Sequence, residues 1–189
     1  MLPWLTVRAF AQGYDGPGAA ARLQPIIDAL RRTGMRDHAD EDADFGVPPD
    51  ATLKPDYWGK TPLAAPGART IRTGGLAALL ESRRPPVVVM ATPGWRSVPG
   101  AVGLAGAGAA GTPSDAVQDR LRRKMAELTG GDLSAPVVAL AWNSERFAGR
   151  NLALRLVALG YTDVYWYRGG QEAWEVAGLP LGSLRAEAW

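Results

Sequence analysis

The stretch PVVALAWNSERFAGRNLALRLVALGYTDVYWY, residues 136–167, predicts a strand, a polar loop, a helix and a second strand. The apolar runs at its two ends, PVVALA and DVYWY, are short and nearly continuous, as is typical of strands buried on both faces of a parallel sheet. Between them, Leu152, Leu156 and Leu159 share one face of a helix that ends at Gly160. Two strands joined through a helix are the unit of an α/β fold.

The residues before this unit repeat the alternation of strand and helix. The run ARTIRT predicts a short strand, with its last residue, Thr73, as the cap of a helix. The run VVVMA, residues 87–91, predicts a buried strand. Thr112 and Asp115 have capping-box spacing with Pro at the first helical position, which predicts a helix to about Leu128. The sequence therefore predicts an α/β fold whose mostly parallel sheet is flanked by helices.

The chain after residue 167 predicts a turn at Arg168 to Gly170 and a short helix from Gln171 to Val176. Apolar residues of the last strands and helices are expected to share one core, because their apolar surface must be removed from water. The expected core residues are Val137, Val138, Leu140, Leu152, Leu156, Val164 and Trp174.

The first 67 residues differ in pattern, and we expect them to form a helical and extended extension of a domain that spans residues 68–189. An apolar stripe in their first half predicts a helix that ends at Gly34. The stripe consists of Leu23, Ile26, Ile27 and Leu30.

Residues 35–67 are acidic at first and then rich in proline, glycine and aromatic residues. This composition favours an extended segment that lies on the surface of the core. We expect Phe45, Tyr57 and Trp58 to anchor it, because aromatic side chains bury the largest apolar area.

Composition limits the classes of function. With 189 residues and 47% hydrophobic content, the chain is long enough for one domain with a core. The formal net charge is +2, and neither the acidic run Asp37–Asp44 nor the basic run Arg120–Lys124 is long enough to predict nucleic-acid binding. No apolar run approaches the roughly 18 residues of a membrane span. The absence of cysteine excludes disulfides, thiolate metal sites and thiol nucleophiles.

The N-terminus leaves two localisations open. Ala9, Phe10 and Ala11 have the small-x-small form of a signal-peptide cleavage site, which favours a periplasmic or otherwise exported protein. The apolar stretch before them, residues 2–7, is shorter than the core of a signal peptide. A cytoplasmic protein with a frayed N-terminus is therefore the alternative.

Two motifs suggest cofactor or metal chemistry, and each has a simpler explanation. Gly106, Gly108 and Gly111 spell the G-x-G-x-x-G of a dinucleotide site, but the run AGAGAAG matches by composition and favours a tightly turning connection. His38, the only histidine, stands among aspartates, as is typical of a solvated loop. We expect no cofactor and no metal. We also expect no Ser-His-acid triad, since His38 would have to be its base.

The polar loop of the opening stretch is the best candidate for a site. It follows the strand that ends at Ala141 and precedes a helix that begins near Ala148, where backbone N–H groups and the helix dipole favour an anion. Side-chain donors are Asn143, Ser144 and Arg146, with Arg150 one turn later. The candidate ligand-binding residues are Ala141, Trp142, Asn143, Ser144, Glu145, Arg146 and Phe147.

The same residues allow a purely structural interpretation of the loop. Ser144 or Asn143 would cap the following helix, and Arg146 would pair with Glu145 or Glu172. The sequence leaves both interpretations open.

The residues around the loop carry a resemblance to a known family. The stretch GYTDVYWYRGGQEAWEVAGLPL, residues 160–181, resembles the C-terminal end of rhodanese-like domains, where GY-x-x-V-x-x-x-x-GG-x-x-AW-x-x-AGLP is typical. The segment SVPGAV is similar to their GHIPGA, with Ser97 in place of His. The stretches DFGVPP, LTGGD and NLALRLVALGY resemble a rhodanese-like subfamily associated with PQQ-dependent catabolism and marked by C-x-x-x-x-C-W.

The resemblance implies a rhodanese-like fold and places the family's active-site loop, C-x-x-x-x-R, at the polar loop. Arg146 then corresponds to the loop arginine and Ala141 to the catalytic cysteine, while in the subfamily motif Ala141, Arg146 and Phe147 replace Cys, Cys and Trp. Met90 also falls near an acidic position of the family. Rhodanese chemistry needs a thiolate that accepts sulfur as a persulfide, so we expect the fold without sulfurtransferase activity.

Three functions remain open on the sequence. The first is a catalytically inactive rhodanese-like module that binds a protein partner or a small anion, exported and accessory to a quinoprotein oxidation system. The second is an enzyme that acts on a phosphate or sulfur oxyanion through the loop from Asn143 to Arg146 without cysteine. The third is a structural subunit that docks into a larger assembly. A deep pocket over the loop favours ligand binding, a flat aromatic patch favours docking, and a base beside Ser144 favours an enzyme.

Overall fold

The computed structural model describes residues 28, 32, 34, 38–55 and 58–189. In the segment that begins at residue 38, a short 3₁₀ helix, Ala39–Glu41, comes first. Strands and helices then follow along the chain. The strands are β1 (Arg69–Ile71), β2 (Val87–Met90), β3 (Arg96–Ser97), β4 (Val102–Gly103), β5 (Val137–Leu140), β6 (Val164–Tyr167), β7 (Gly182–Ser183) and β8 (Arg185–Ala186). The helices are α1 (Thr73–Leu80), α2 (Ala116–Thr129), α3 (Phe147–Ala158) and α4 (Gly170–Val176). The predicted α/β class is confirmed.

Six strands form one sheet in the order β1-β6-β5-β2-β4-β8, and every neighbouring pair is parallel. Strands β3 and β7 form a separate antiparallel pair. At the centre, Val138 of β5 lies between Val88 of β2 and Tyr165 of β6. Parallel strands bring their carboxyl ends to one edge of the sheet, where open α/β sheets place their sites. The polar loop after β5 therefore lies at that edge.

The sheet separates the buried residues into two layers. Successive residues of a strand point to opposite faces, so Val137 and Val138 of β5 enter different layers. Leu152 and Leu156 of α3 belong to the layer of Val137, whereas Trp174 of α4 belongs to the layer of Val138. All seven expected core residues are buried. The expectation that they share one core is wrong, because the sheet lies between them.

Two helix caps differ from the predictions. Thr73 is the first residue of α1 and not its cap, and the Glu41 carboxylate accepts hydrogen bonds from Thr73 N and Thr73 Oγ1, both at 2.7 Å. Asp115, and not Thr112, caps α2 by accepting a bond from Gln118 N at 2.8 Å. A carboxylate at either helix start is favoured by the exposed N–H groups and by the helix dipole.

The glycine-rich connection between β4 and α2 is held against α3. Arg155 of α3 is buried and donates to the carbonyl oxygens of Ala109, Ala110 and Thr112 at 2.9 to 3.2 Å. It also pairs with the Asp115 carboxylate at 2.8 Å. Gly108 lies so close to α3 that a Cβ would stand 1.9 Å from the carbonyl oxygen of Ala148. The glycine at position 108 therefore serves close packing.

The segment before β1 contributes to the core as well as to the surface. Leu53 and Ala65 are buried in the layer that contains α3. Phe45 is half-buried. The centre of its ring lies 5.2 Å from Lys60 Nζ and 4.9 Å from Arg168 Cζ. Trp58 is 62% exposed and contacts the chain through Arg146, so it does not anchor the segment by burying its side chain.

Several predictions fall outside the described residues, namely the Ala9–Ala11 motif, Tyr57 and the apolar stripe of the N-terminal helix. Asp28 and Arg32 are helical, and Gly34 has a φ of 97°, which is typical of the residue after a helix. The division between residues 67 and 68 stays a prediction. Within the described residues, no helix is long and apolar enough to cross a membrane.

Leu156→Ala is expected to lower the free energy of unfolding by about 2–5 kcal/mol, because a fully buried side chain leaves a cavity against the sheet. Urea denaturation of the two proteins measures the difference. Leu133→Ala is the matched control, since Leu133 is largely exposed and its loss is expected to change little. A near-neutral Leu156→Ala would show that α3 does not pack as described.

Asp115→Asn is expected to flatten the loss of stability in acid. The hydrogen bond from Arg155 holds the pKa of the Asp115 carboxyl well below its usual range. The carboxylate therefore stabilises the fold above its unfolded-state pKa of about 4, and this contribution is lost as the pH falls. Asparagine keeps the helix cap but removes the titration. Thermal unfolding from pH 6 to acid measures the slope, and the exposed Asp119→Asn serves as the control that should keep it.

Candidate functional site

The loop between β5 and α3 begins with Ala141, of which 2% is exposed. The carbonyl oxygen of Ala141 accepts a hydrogen bond from Gln171 N at 3.1 Å, and that of Trp142 accepts one from Glu172 N at 2.9 Å. Gly170 has a φ of 63°, and a Cβ there would stand 2.5 Å from Ala141 O. The position that the sequence resemblance assigns to a catalytic cysteine is therefore a methyl group buried in the layer of α3, whereas its backbone carbonyl meets the start of α4.

Asn143 organises the polar part of the loop. Its carbonyl oxygen accepts a hydrogen bond from Arg146 N at 3.2 Å, and its side-chain Oδ1 accepts one from Glu145 N at 3.1 Å. Its Nδ2 donates to Glu172 Oε2 at 2.9 Å. Two of the loop's backbone N–H groups are thus bonded to Asn143. Residue 146 occupies the cap position of α3, and no side chain caps that helix.

Residues 58–61, which we call the strap, lie along the loop in the manner of an added antiparallel strand. Gly59 N donates to Glu145 O at 2.9 Å, and Thr61 N donates to Ser144 O at 3.3 Å. Thr61 Oγ1 also donates to Ser144 O. Ser144 is almost fully buried as a result. The strap satisfies the outward carbonyl groups of the loop and covers its centre.

Arg146 and Phe147 complete the contact with the strap. The Arg146 guanidinium stacks on the face of the Trp58 indole, and the two residues form an isolated antiparallel bridge through their backbones. The Phe147 ring is buried against Gly59, where a Cβ would stand 3.3 Å from the ring. Trp142 stays 40% exposed. The loop and the strap therefore each present one tryptophan, Trp142 and Trp58, and Arg146 lies over Trp58.

Arg150 does not supply a donor to the loop, contrary to the prediction. Its buried guanidinium donates to Thr52 O at 3.0 Å and to Asp50 Oδ1 at 3.1 Å. The neighbouring Asn151 exchanges two hydrogen bonds with the backbone of Lys54, at 3.2 and 3.1 Å. The face of α3 that carries these side chains meets residues 50–54, so both are used to hold that segment.

Arg168, which follows β6, is the residue that sequence reasoning placed only in a turn. Its guanidinium donates to four backbone carbonyl oxygens at 2.7 to 3.1 Å, those of Asp40, Glu41, Ala43 and Thr61. Its Nε donates to Thr61 Oγ1 at 3.2 Å. Arg168 therefore fixes both the segment 40–43 and the strap against the carboxyl edge of the sheet. The motif around residue 168 gives no local signal for these contacts, because all acceptors lie more than a hundred residues earlier.

The charge of Arg146 is compensated less than the charges of the buried arginines. Arg150 and Arg155 each pair with an aspartate, and aspartates at 40, 42 and 44 oppose the effect of burial on the pKa of Arg168. Burial lowers the pKa of Arg146, with no opposing carboxylate. Within the described part of the chain, Arg146 forms no ion pair, and its Nε is buried without a hydrogen-bond partner. The structural alternative that pairs it with Glu145 or Glu172 is not realised.

The seven predicted site residues thus follow one another at the carboxyl edge of the sheet, some in the interior and some at the surface. Ala141, Ser144 and Phe147 are buried in the loop, whereas Trp142 and Glu145 are exposed. Sequence reasoning missed Thr61 and Arg168, which hold the strap over the loop, and Glu41, which accepts hydrogen bonds at the start of α1. A cavity of about 330 Å³ lies elsewhere, lined by Asp44, residues 46–49, Leu63 and Ala64.

His38 makes a local contact in the described segment, since its Nδ1 accepts a hydrogen bond from Asp40 N at 3.1 Å. Among the described residues, no three histidine, aspartate or glutamate side chains form a group that could hold a metal ion.

Comparisons with known proteins give only distant similarity. No family model matches the chain, and no curated protein is a significant match. Among solved structures, a thiosulfate sulfurtransferase from Pseudomonas aeruginosa matches with a TM-score of 0.47 and 23% identity, over 65% of this chain and 22% of that chain. A full-length protein from Lactobacillus plantarum matches with a TM-score of 0.46 and 21% identity, over 61% of this chain and 88% of that chain. This chain therefore spans about a fifth of the length of the sulfurtransferase that it matches.

Thr61→Val is expected to lower the free energy of unfolding by about 1–3 kcal/mol, because it removes the hydroxyl that joins Ser144 O to Arg168 Nε and leaves the buried Arg168 Nε unpaired. Thr70→Val is the matched control, since the Thr70 hydroxyl makes one bond at an exposed position. Chemical denaturation measures both. Equal effects of the two substitutions would show that the strap is not anchored through Thr61.

Proposed function

We propose that the chain is a catalytically inactive rhodanese-like module that binds a protein partner. The observation that carries the proposal is Ala141. At the position that the sequence resemblance assigns to the sulfur-accepting cysteine, a methyl group is buried in the layer of α3, and the chain has no cysteine elsewhere. Sulfur transfer through a persulfide needs a thiolate, and no other side chain of the loop can replace it.

The strap supports the same conclusion. A loop that holds a reacting anion presents its N–H groups to solvent, whereas here Asn143 binds two of them and the strap binds the carbonyl oxygens of Ser144 and Glu145. The loop is therefore stabilised by the chain itself. Its contact with another molecule would be made by the exposed side chains that remain.

An enzyme that uses Ser144 is disfavoured. A serine nucleophile needs a base within hydrogen-bond reach. Ser144 is almost fully buried, and no base is bonded to its hydroxyl in the part of the chain that the structure describes. A small anion is the second candidate ligand, and the uncompensated charge of Arg146 is the observation that favours it.

The exposed aromatic side chains favour a protein partner. Trp58 and Trp142 leave 62% and 40% of their surfaces in solvent, and tryptophan is among the residues most enriched at the centres of protein interfaces. The sequence resemblance to the subfamily associated with PQQ-dependent catabolism supports a quinoprotein oxidation system as the setting. That resemblance and the Ala9–Ala11 motif together support export.

Purified protein is expected to show no thiosulfate:cyanide sulfurtransferase activity above background, because no thiolate is present to accept sulfur. Thiocyanate formation is the measurement. Ala141→Cys is expected to give weak activity at most, since the side chain is buried and the strap covers the loop.

Trp142→Cys is the control for a reactive thiol that lies outside the proposed nucleophile position. It should give no more turnover than the cysteine-free protein. Turnover by the unmodified chain after extensive purification would disprove the inactive-module proposal. Turnover by Ala141→Cys comparable to that of an active sulfurtransferase would show that only the nucleophile is missing.

A further inference from the structure

We infer that the partner docks through a single carboxylate flanked by apolar side chains, and that this carboxylate binds Arg146, which lies over Trp58 on the loop that also carries Trp142. This inference rests on the proposed function and names the chemistry of the partner. It depends on three features of the loop surface: an uncompensated guanidinium, two exposed indoles, and carboxylates placed so that they exclude a highly acidic partner.

The charge of Arg146 is the first feature. Every other arginine of α3 and of the turn after β6 has an aspartate nearby, as described for Arg150, Arg155 and Arg168. Arg146 has none among the described residues, and burial alone lowers its pKa. A partly desolvated cation is stabilised by an anion that also accepts its hydrogen bonds. The carboxylate of a partner would supply both.

Stacking on Trp58 leaves Arg146 suited to this contact. The Arg146 guanidinium carbon lies over the Trp58 ring, and the N–H donors of a guanidinium lie in its own plane, at its edge. A carboxylate can then accept two parallel hydrogen bonds from that edge. The stack also restricts the side chain before binding, so less conformational freedom is lost in the complex.

The exposed indoles determine which side chains of the partner flank its carboxylate. Trp58 is 62% exposed and Trp142 is 40% exposed, and both lie in or against the same short loop. Apolar side chains of the partner next to its acidic residue would cover this surface. Removing indole area from water provides the hydrophobic part of the binding free energy.

Two carboxylates of the module limit the charge of the partner. Glu145 is exposed next to Arg146, and Glu172 is held near the loop by Asn143 Nδ2 at 2.9 Å. Neither forms an ion pair with Arg146 in the described structure. Both would repel further negative charge, so a run of acidic residues or a polyphosphate is disfavoured.

Selection from a random-peptide display library on the immobilised full chain tests the inference. Enriched peptides are expected to carry one aspartate or glutamate next to aromatic or aliphatic residues. An enriched peptide should bind about 10-fold to 100-fold more tightly than its counterpart with glutamine or asparagine at that position, the scale of a hydrogen bond to a charged group. Arg146→Gln should remove most of this difference. Arg83→Gln, at an exposed position after α1, is the matched control that should retain it.

Each other outcome overturns the inference. Enrichment without an acidic preference would leave a binding module of different chemistry. Preference for runs of several acidic residues would assign a polyanion. No enrichment, together with chemical-shift changes of the loop on titration with inorganic sulfate, would assign a small-anion site. The comparison of acidic and amide peptides uses the unmodified chain, so it decides the question even if Arg146→Gln does not fold. Sulfurtransferase turnover would refute the proposed function independently of these results.

Discussion

Hydrogen bonds from buried guanidinium groups to backbone carbonyl oxygens hold the irregular parts of this protein on its sheet. A segment without helix or strand leaves carbonyl groups with no ladder partner, and each would cost free energy if it were buried unpaired. One arginine offers five N–H donors in a plane and can satisfy several carbonyls together. Arg168 binds the segment 40–43 and the strap, and Arg155 binds the connection before α2.

The same arginines explain why the site is covered. Arg168 binds the backbone at Asp40 and at Thr61, so both positions are fixed at the carboxyl end of β6. Arg150 fixes a third position, Thr52, against α3. The strap therefore lies on the loop after β5 as a consequence of contacts made outside the loop. Burial of each guanidinium is tolerated because an aspartate offsets its charge.

The elements of the fold could be predicted from the sequence because their signals are local. The apolar runs at 137–140 and 164–167 and the helix between them are fixed by period and length, and the structure has them. The arginine contacts could not be predicted, since Arg168 and its acceptors are separated by more than a hundred residues. The cap of α1 was missed for a similar reason, because Glu41 lies 32 residues before Thr73. The seven loop residues lie together, but their exposure depends on the strap, and their role as a site stays a prediction.

The charge of Arg146 differs from the charges of the buried arginines in this structure. Within the described residues, the buried Arg150, Arg155 and Arg168 have aspartates that offset their charge, whereas the half-buried Arg146 has none. The strap contributes the indole under Arg146 and no carboxylate beside it. Covering the loop therefore removes the interior of the site from solvent and leaves a cation on an aromatic support at its surface. In the proposed function this surface would serve recognition, because a guanidinium held over an aromatic ring can offer paired hydrogen bonds to a carboxylate.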